Sequence, residues 1–193
     1  MAIARIGFFG ESIGKQTNMT VILPEGVERE GPYPVLYLLH GLSDDDSIWT
    51  RRTSLERYVS GLPLVVVMPD GGRGFYTDAV EGPAYESHII KDVVGLVERF
   101  FPVVRSREGR AIEGLSMGGY GAMKLALKYP QMFASVVAHS SAFDIRDVMA
   151  RPERADELRR IMGHHSSEIP DILGRRGDEE AVHRDHMVIT ARA

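Results

Sequence analysis

Two runs, residues 2–12 and 17–23, flank a polar turn at Gly14-Lys15-Gln16 and predict a β-hairpin that ends at Pro24-Glu25-Gly26. After a polar loop through Gly31-Pro32, Tyr33 to Leu39 is almost wholly apolar, the pattern of a central strand covered on both faces. It breaks into His40-Gly41-Leu42-Ser43-Asp44-Asp45-Asp46, and Ile48, Leu55, Tyr58 and Val59 share one face of a helix predicted over 47–60. Leu62 to Met68 is a second buried strand, closed by Pro69-Asp70-Gly71-Gly72. The loop from Arg73 to Pro83 then carries Phe75-Tyr76, an aromatic pair placed where a pocket wall is expected. Ile89, Ile90, Val93, Val94, Leu96, Val97, Phe100 and Phe101 form a broad stripe that predicts a helix over 85–101, stopped by Pro102. Residues 108–115 end in a strand, and Ala122, Leu125, Ala126 and Tyr129 predict a helix over 117–129 that Pro130 ends. Phe133 to His139 is another buried strand, followed by Ser140-Ser141-Ala142-Phe143-Asp144. Beyond it come a charged helix around Glu153 to Met162, a polar stretch, and strand character again at Met187-Val188-Ile189-Thr190.

Strands alternating with helices after an opening hairpin predict an α/β sandwich with a mostly parallel central sheet. We read residues 1–193 as one domain, with 145–193 as a helical insert and irregular tail. Ligands in such folds gather at the carboxyl ends of the strands. The loops at His40-Gly41-Leu42, Asp70 to Asp78, Ser116 and Ser140 to Asp144 all leave strands on that edge, and are expected to form one site.

Composition narrows the chemistry. The 193 residues are 44% hydrophobic and 26% charged, ordinary for a single globular core, and acidic and basic residues are interspersed around a net charge of −4. That balance lacks the basic footprint of a nucleic-acid or anionic-membrane binder, and points to a small-molecule partner. With no cysteine there is no disulfide, no thiol nucleophile and no cysteine-ligated zinc. Met1 to Gly10 lacks the features of a signal peptide and no run approaches the ~20 apolar residues of a membrane span, so the expected location is cytoplasmic.

The chemistry centres on Gly114-Leu115-Ser116-Met117-Gly118. In a strand–turn–helix context, Gly-x-Ser-x-Gly has the form of a nucleophile elbow. The serine hydroxyl stands clear of the sheet on a turn too tight for side chains two residues before and after it. The following helix aims its free N–H groups toward the point where an ester carbonyl becomes an oxyanion.

Further pieces carry a resemblance: Leu38-Leu39-His40-Gly41-Leu42-Ser43 with Trp49, Val66-Val67-Met68-Pro69-Asp70, Gly74-Phe75-Tyr76-Thr77-Asp78, Tyr85-Glu86, and Gly114 to Gly119. In order and spacing, from about Arg5 to Asp144, the chain resembles the esterases of the α/β-hydrolase fold that include tributyrin esterases, S-formylglutathione hydrolases (esterase D) and mycolyltransferases. The resemblance implies Ser116 as nucleophile and an oxyanion hole from the backbone N–H groups of Leu42 and Met117. It also implies a substrate pocket around His40, Gly41, Trp49, Phe75 and Tyr76, a small-molecule ester as partner, and no cofactor or metal. The family's later strands, with an aspartate after the helical insert and a histidine in a glycine-histidine turn, have no counterpart motif after Ser116. The C-terminal strands are therefore expected to be missing or incomplete, the triad acid and base are assigned to no residue, and an uncovered sheet edge would favour a homo-oligomer.

Other polar residues have plainer readings. His40 is expected to hydrogen-bond its own loop, and His139 to be a satisfied core histidine. Asp144 follows the strand after the elbow, a position from which some α/β-hydrolases supply the acid. His164, His165, His183 and His186 read as solvated, and His183-Arg184-Asp185-His186 lacks the further histidine that a metal site would want at Ala181. Asp78 and Glu86 read as ordinary loop or helix-start carboxylates. Serine carboxylesterase chemistry on short-chain acyl esters is the favoured function. A shortened, weak or inactive homologue that binds a ligand or partner, and an acyltransferase using the same serine, are the alternatives.

Overall fold

The computed structural model describes residues 1–27, 30–143, 161 and 186–190, the last five by their backbone. The hairpin forms as β1 (Ala2–Gly10) and β2 (Lys15–Leu23), its turn lying slightly earlier than expected and ending at Gly14, whose φ is 64°. β3 (Val35–Leu39), β4 (Val65–Pro69), β5 (Arg110–Leu115) and β6 (Ser135–His139) follow. With β7 (His186–Thr190) they make a seven-stranded sheet in the order β1-β2-β4-β3-β5-β6-β7. The inner block β4-β3-β5-β6 is parallel, while β1, β2 and β7 join it antiparallel. The outer edge of β6 is therefore paired rather than open, because β7 runs along it from Ser135↔Thr190 to His139↔His186.

Alternation along β3 and β4 sends side chains to two cores, as the two-residue period of a strand dictates. Val35, Tyr37, Leu39, Val65 and Val67 face one core together with Ile89, Val93, Val97, Ile112, Tyr120 and Met123. Leu38, Val66 and Met68 face the other with Ile22 and Val59. The first core lies under the helical run of α3 (Tyr85–Ser87), a π-helical turn (His88–Val93) and α4 (Val94–Phe100), and under α5 (Met117–Lys128). The second lies under α1 (Ile48–Arg52) and α2 (Leu55–Val59). The single helix expected over 47–60 is thus two short ones. Thr53 turns extended (φ −133°, ψ 171°) and its hydroxyl caps the Leu55 N–H at 3.1 Å. Tyr58 and Phe100, expected on apolar stripes, are instead 68% and 66% exposed. Each has a neighbouring arginine over its ring, Arg57 and Arg99 respectively.

Chain order and sheet order differ at one place that matters. The chain passes from β3 to β4 on one side, then crosses back to β5 on the other side of β3. Ligands in such sheets gather at the carboxyl ends of the strands where the order reverses. Leu39 and Gly114 are register partners at that end, so His40-Gly41 and Leu115-Ser116 leave the sheet side by side. Among the described residues no helix is long and apolar enough to cross a membrane.

The two environments predict different costs of truncation. Ile112→Ala, in a fully buried position of β5, should cost about 2–5 kcal/mol. Phe100→Ala, exposed on α4, should stay within about 0.5 kcal/mol. Urea denaturation of the two variants checks the contrast.

Candidate active site

Ser116 sits between β5 and α5 with φ 55° and ψ −114°, a left-handed conformation in which a residue with a Cβ is strained. The neighbouring glycines account for how the turn closes. A Cβ on Gly114 would collide with the Gly118 carbonyl, and one on Gly118 would collide with the Leu39 carbonyl and stand 2.6 Å from that of His40. The first turn of α5 is thus pressed against the ends of both β5 and β3. The Ser116 N–H is tied to the His139 carbonyl of β6 at 2.8 Å, and Ser116 itself is half-buried. Met117, the first helical residue, and Leu42 in the facing loop have N–H groups with no acceptor among the described residues.

The loop after β3 is pinned at several points. His40 is 1% exposed; its Nδ1 lies 2.7 Å from the Gly41 carbonyl, and its Nε2 accepts the Gly71 N–H at 2.8 Å. Tyr76 donates its phenol to the His40 carbonyl at 3.0 Å, and burial pushes that phenol well above its ordinary pKa, so it stays a donor. Farther along, buried Asp46 accepts both Arg5 Nε and Nη2 at 2.9 Å and the Thr20 hydroxyl at 2.7 Å, fastening the loop to the hairpin. Arg73 donates to the Ser43 hydroxyl at 2.9 Å.

The four loops expected to meet do meet. A Cβ on Gly41 would stand 3.8 Å from that of Ser116, and one on Gly119 would run into the Ser141 hydroxyl. The pocket residues are distributed differently from their sequence reading. His40 is buried beside the serine loop. Phe75 and Tyr76, with φ of 48° and 52°, turn their rings inward, to 4% and 0% exposure, where Phe75 meets the ring of Tyr120 edge-on. Trp49 packs on the opposite face of the sheet, against the core under α1 and α2. A cavity of about 450 Å³ does lie along the 73–85 loop, but Arg73, Gly74, Pro83, Tyr85 and Ile161 line it.

One carboxylate and one histidine have surroundings their sequence reading did not give. Glu86 does stand at a helix start, in the first turn of α3, but it is buried, with its oxygens 3.0 Å from Lys124 Nζ and 2.9 Å from Lys128 Nζ and accepting the Tyr129 hydroxyl at 2.7 Å. Burial alone would raise its pKa, but Lys124, Tyr129 and Lys128 outweigh burial and hold it below the ordinary value. Lys124, fully buried on α5, also donates to the Thr77 hydroxyl at 2.6 Å. The sequence hides this lysine because its spacing reads as a polar face of the helix. Its partner thirty-eight positions earlier is brought near only by the fold. His139 is half-exposed rather than core, with Nε2 2.8 Å from Glu113 Oε1. Asp78 does serve a helix start, accepting the Ser87 N–H and hydroxyl, both at 2.8 Å. Asp144, His164, His165 and His183 lie outside the described residues, and His186 is described by backbone alone.

Two predictions come from this geometry. Gly118→Ala should lower stability by about 1–3 kcal/mol or more, because backbone carbonyls that cannot move aside occupy the methyl position; thermal melting checks it. Glu86→Leu removes the carboxylate 3.0 Å from the buried Lys124 ammonium and should cost about 3–5 kcal/mol, whereas Glu86→Leu with Lys124→Met should recover most of that loss. Since the folded Glu86 pKa lies below its ordinary value of 4.5, its ionised pairing contributes fully above about pH 4.5 and fades as pH falls through the lowered value. Acid denaturation of the double variant should accordingly be flatter below pH 4.5 than that of the parent.

Comparison with known proteins agrees with the geometry. The family model described as "Putative esterase" matches residues 10–184. Esterase Rv1288 of Mycobacterium tuberculosis is 37% identical over 146 residues, covering 72% of this chain and 32% of its own length. The acetyl esterase of Caldicellulosiruptor saccharolyticus is 31% identical over 163 residues, covering 79% of this chain and 61% of its own. The chain thus spans less than two thirds of these relatives. The substrate-bound structure of FphF, a fluorophosphonate-binding serine hydrolase of Staphylococcus aureus, superposes with a TM-score of 0.82 at 32% identity, over 93% of this chain and 74% of that one. A sheet with its strand order reversing beside a strained serine turn, and a family match across most of the chain, lead to one conclusion: the chain belongs to the esterase family of the α/β-hydrolase fold.

Proposed function

We propose that the chain carries serine carboxylesterase chemistry and hydrolyses small, short-chain acyl esters through an acyl-enzyme on Ser116. The observation that carries this reading is the Ser116 backbone, held at φ 55° at the N-terminus of α5, beside the reversal of strand order at β3 and β5. The Oγ attacks the ester carbonyl, its proton passes to a base, the alcohol leaves, and water repeats the attack on the acyl group. Charge developing on the carbonyl oxygen is taken by the Leu42 and Met117 N–H groups, which have no other acceptor among the described residues. The acetyl esterase relative and the fluorophosphonate-binding neighbour support the acyl class and the serine chemistry. Acyl transfer to an alcohol would use the same residues.

A second reading, a weak or inactive homologue, draws on the three histidine side chains described. His40 meets Gly41 and Gly71 with its two ring nitrogens, His88 meets Asp92 with Nδ1 while its buried Nε2 has no partner among the described residues, and His139 meets Glu113 with Nε2. Without a base, a serine hydrolase keeps only a residual ~10³–10⁴-fold enhancement from its oxyanion hole and binding.

Intact-mass analysis after fluorophosphonate treatment separates the readings. We expect one adduct, on Ser116, together with turnover of a p-nitrophenyl acetate probe. Ser116→Ala should abolish the adduct and lower kcat by roughly 10⁶-fold. Unchanged turnover in that variant would refute the nucleophile, and an adduct without catalytic turnover would favour the weak homologue.

A further inference from the structure

The imidazole of His40 has a feature that its sequence position does not explain. It is 1% exposed and both ring nitrogens are engaged by backbone groups. The Gly71 N–H can only donate, so Nε2, 2.8 Å from it, must offer a lone pair. The ring proton is therefore on Nδ1, and Nδ1–H donates to the Gly41 carbonyl at 2.7 Å. Asp70 Oδ1 stands 3.6 Å from the same Nε2, beyond hydrogen-bond reach, so the ring is clamped between two loops with Nε2 as acceptor and Nδ1 as donor.

The consequence lies in the next peptide. The Gly41 C=O and the Leu42 N–H belong to one planar unit and point to opposite sides of it. Fixing the carbonyl toward the His40 ring therefore turns the Leu42 N–H away from that ring. The same carbonyl accepts the Asp44 N–H at 3.2 Å, which closes the turn, while Tyr76 fixes the preceding peptide through the His40 carbonyl at 3.0 Å. Two successive peptides of the loop facing Ser116 are thus held on one side, and the Leu42 N–H is left as the group without an acceptor among the described residues.

We propose that His40 is a positioning residue: its imidazole is a strut between Gly71 and the Gly41 carbonyl that aims the Leu42 N–H at the oxyanion. This rests on the reading of Ser116 and Leu42 above. The strut is neither the base nor a substrate contact, since both nitrogens are already spent on backbone. Gly71 belongs to the loop that also carries Tyr76, so the segment after β4 sets the oxyanion hole through His40 without touching the substrate.

The chemistry of the strut suggests the variants. Asparagine places an amide N–H close to the position of Nδ1–H and can keep the bond to Gly41, though it loses the acceptor for Gly71; alanine loses both. His40→Ala should slow fluorophosphonate labelling of Ser116, and kcat for p-nitrophenyl acetate, by roughly 10 to 10²-fold with KM little changed. That is below the ~10²–10³-fold loss when an oxyanion donor is removed outright. His40→Asn should regain most of the rate. The ¹H–¹⁵N resonance of Leu42 should move in His40→Ala and stay near its parent position in His40→Asn. In the unaltered protein, ¹⁵N shifts of the His40 ring should report a protonated Nδ1 and a bare Nε2. An Nε2–H tautomer would overturn the proposal even if neither variant folds, as would parent-like labelling and an unmoved Leu42 amide in His40→Ala. If the unaltered protein does not label at all, the Ser116 reading fails instead, and the ring tautomer and the Leu42 amide still decide the strut.

Discussion

Everything in this molecule that bears on chemistry depends on one close approach, the first turn of α5 against the carboxyl ends of β5 and β3. The Gly114–Gly118 and Gly118–Leu39 contacts leave no room for a methyl group. That contact lets the chain reverse within one residue, and Ser116 takes the strain of the reversal in its φ of 55°. Left-handed backbone at a residue with a Cβ costs about 1–3 kcal/mol and persists only where its surroundings over-determine it. Here they do so from three strands at once. The helix start lies on β3, Gly114 belongs to β5, and the Ser116 N–H is bonded to the end of β6.

The loops around that turn are held by polar contacts that cross between them. The segment from Asp70 to Asp78 is caught between α5 and the loop after β3. Tyr76 reaches the His40 carbonyl, Gly71 reaches the His40 ring, and Thr77 receives the buried ammonium of Lys124. Lys124 in turn rests on Glu86, at the start of the helical run before β5. A buried ion pair of this kind adds little net stability compared with apolar residues of the same volume. What it does is join α5, the loop after β4 and the helical run over 85–100 through charged and polar groups that meet at Glu86 and Lys124. The cavity along the same loop, with Arg73 and Tyr85 on its lining, lies next to this joined unit.

The positions at which side chains depart from their sequence reading fit the same physical picture. Phe75 and Tyr76 turn inward where the loop backbone at both is left-handed; the Tyr76 phenol braces the loop after β3, and the Phe75 ring meets Tyr120 of α5. Trp49 falls on the other face of the sheet because α1 and α2 pack there, over Leu38 and Met68.

By itself the sequence determined the parts that depend on local patterning. Runs of apolar residues such as Tyr33 to Leu39 and Leu62 to Met68 bury both faces and can only be inner strands. Gly114 and Gly118 around Ser116 admit a turn that other residues would block, and Met117 to Lys128 has the period of a helix. Strand–helix alternation then led to the layered sheet, and the loops at its carboxyl edge to a shared site. Only the tertiary structure decided which long-range partners the polar residues take. Lys124 with Glu86, His40 with Gly71, and His139 with Glu113 are separated in sequence by intervals that carry no periodic signal. Hydrophobic burial is non-directional and can be read from pattern, whereas a hydrogen bond or ion pair forms only where folding brings two particular groups within about 3 Å.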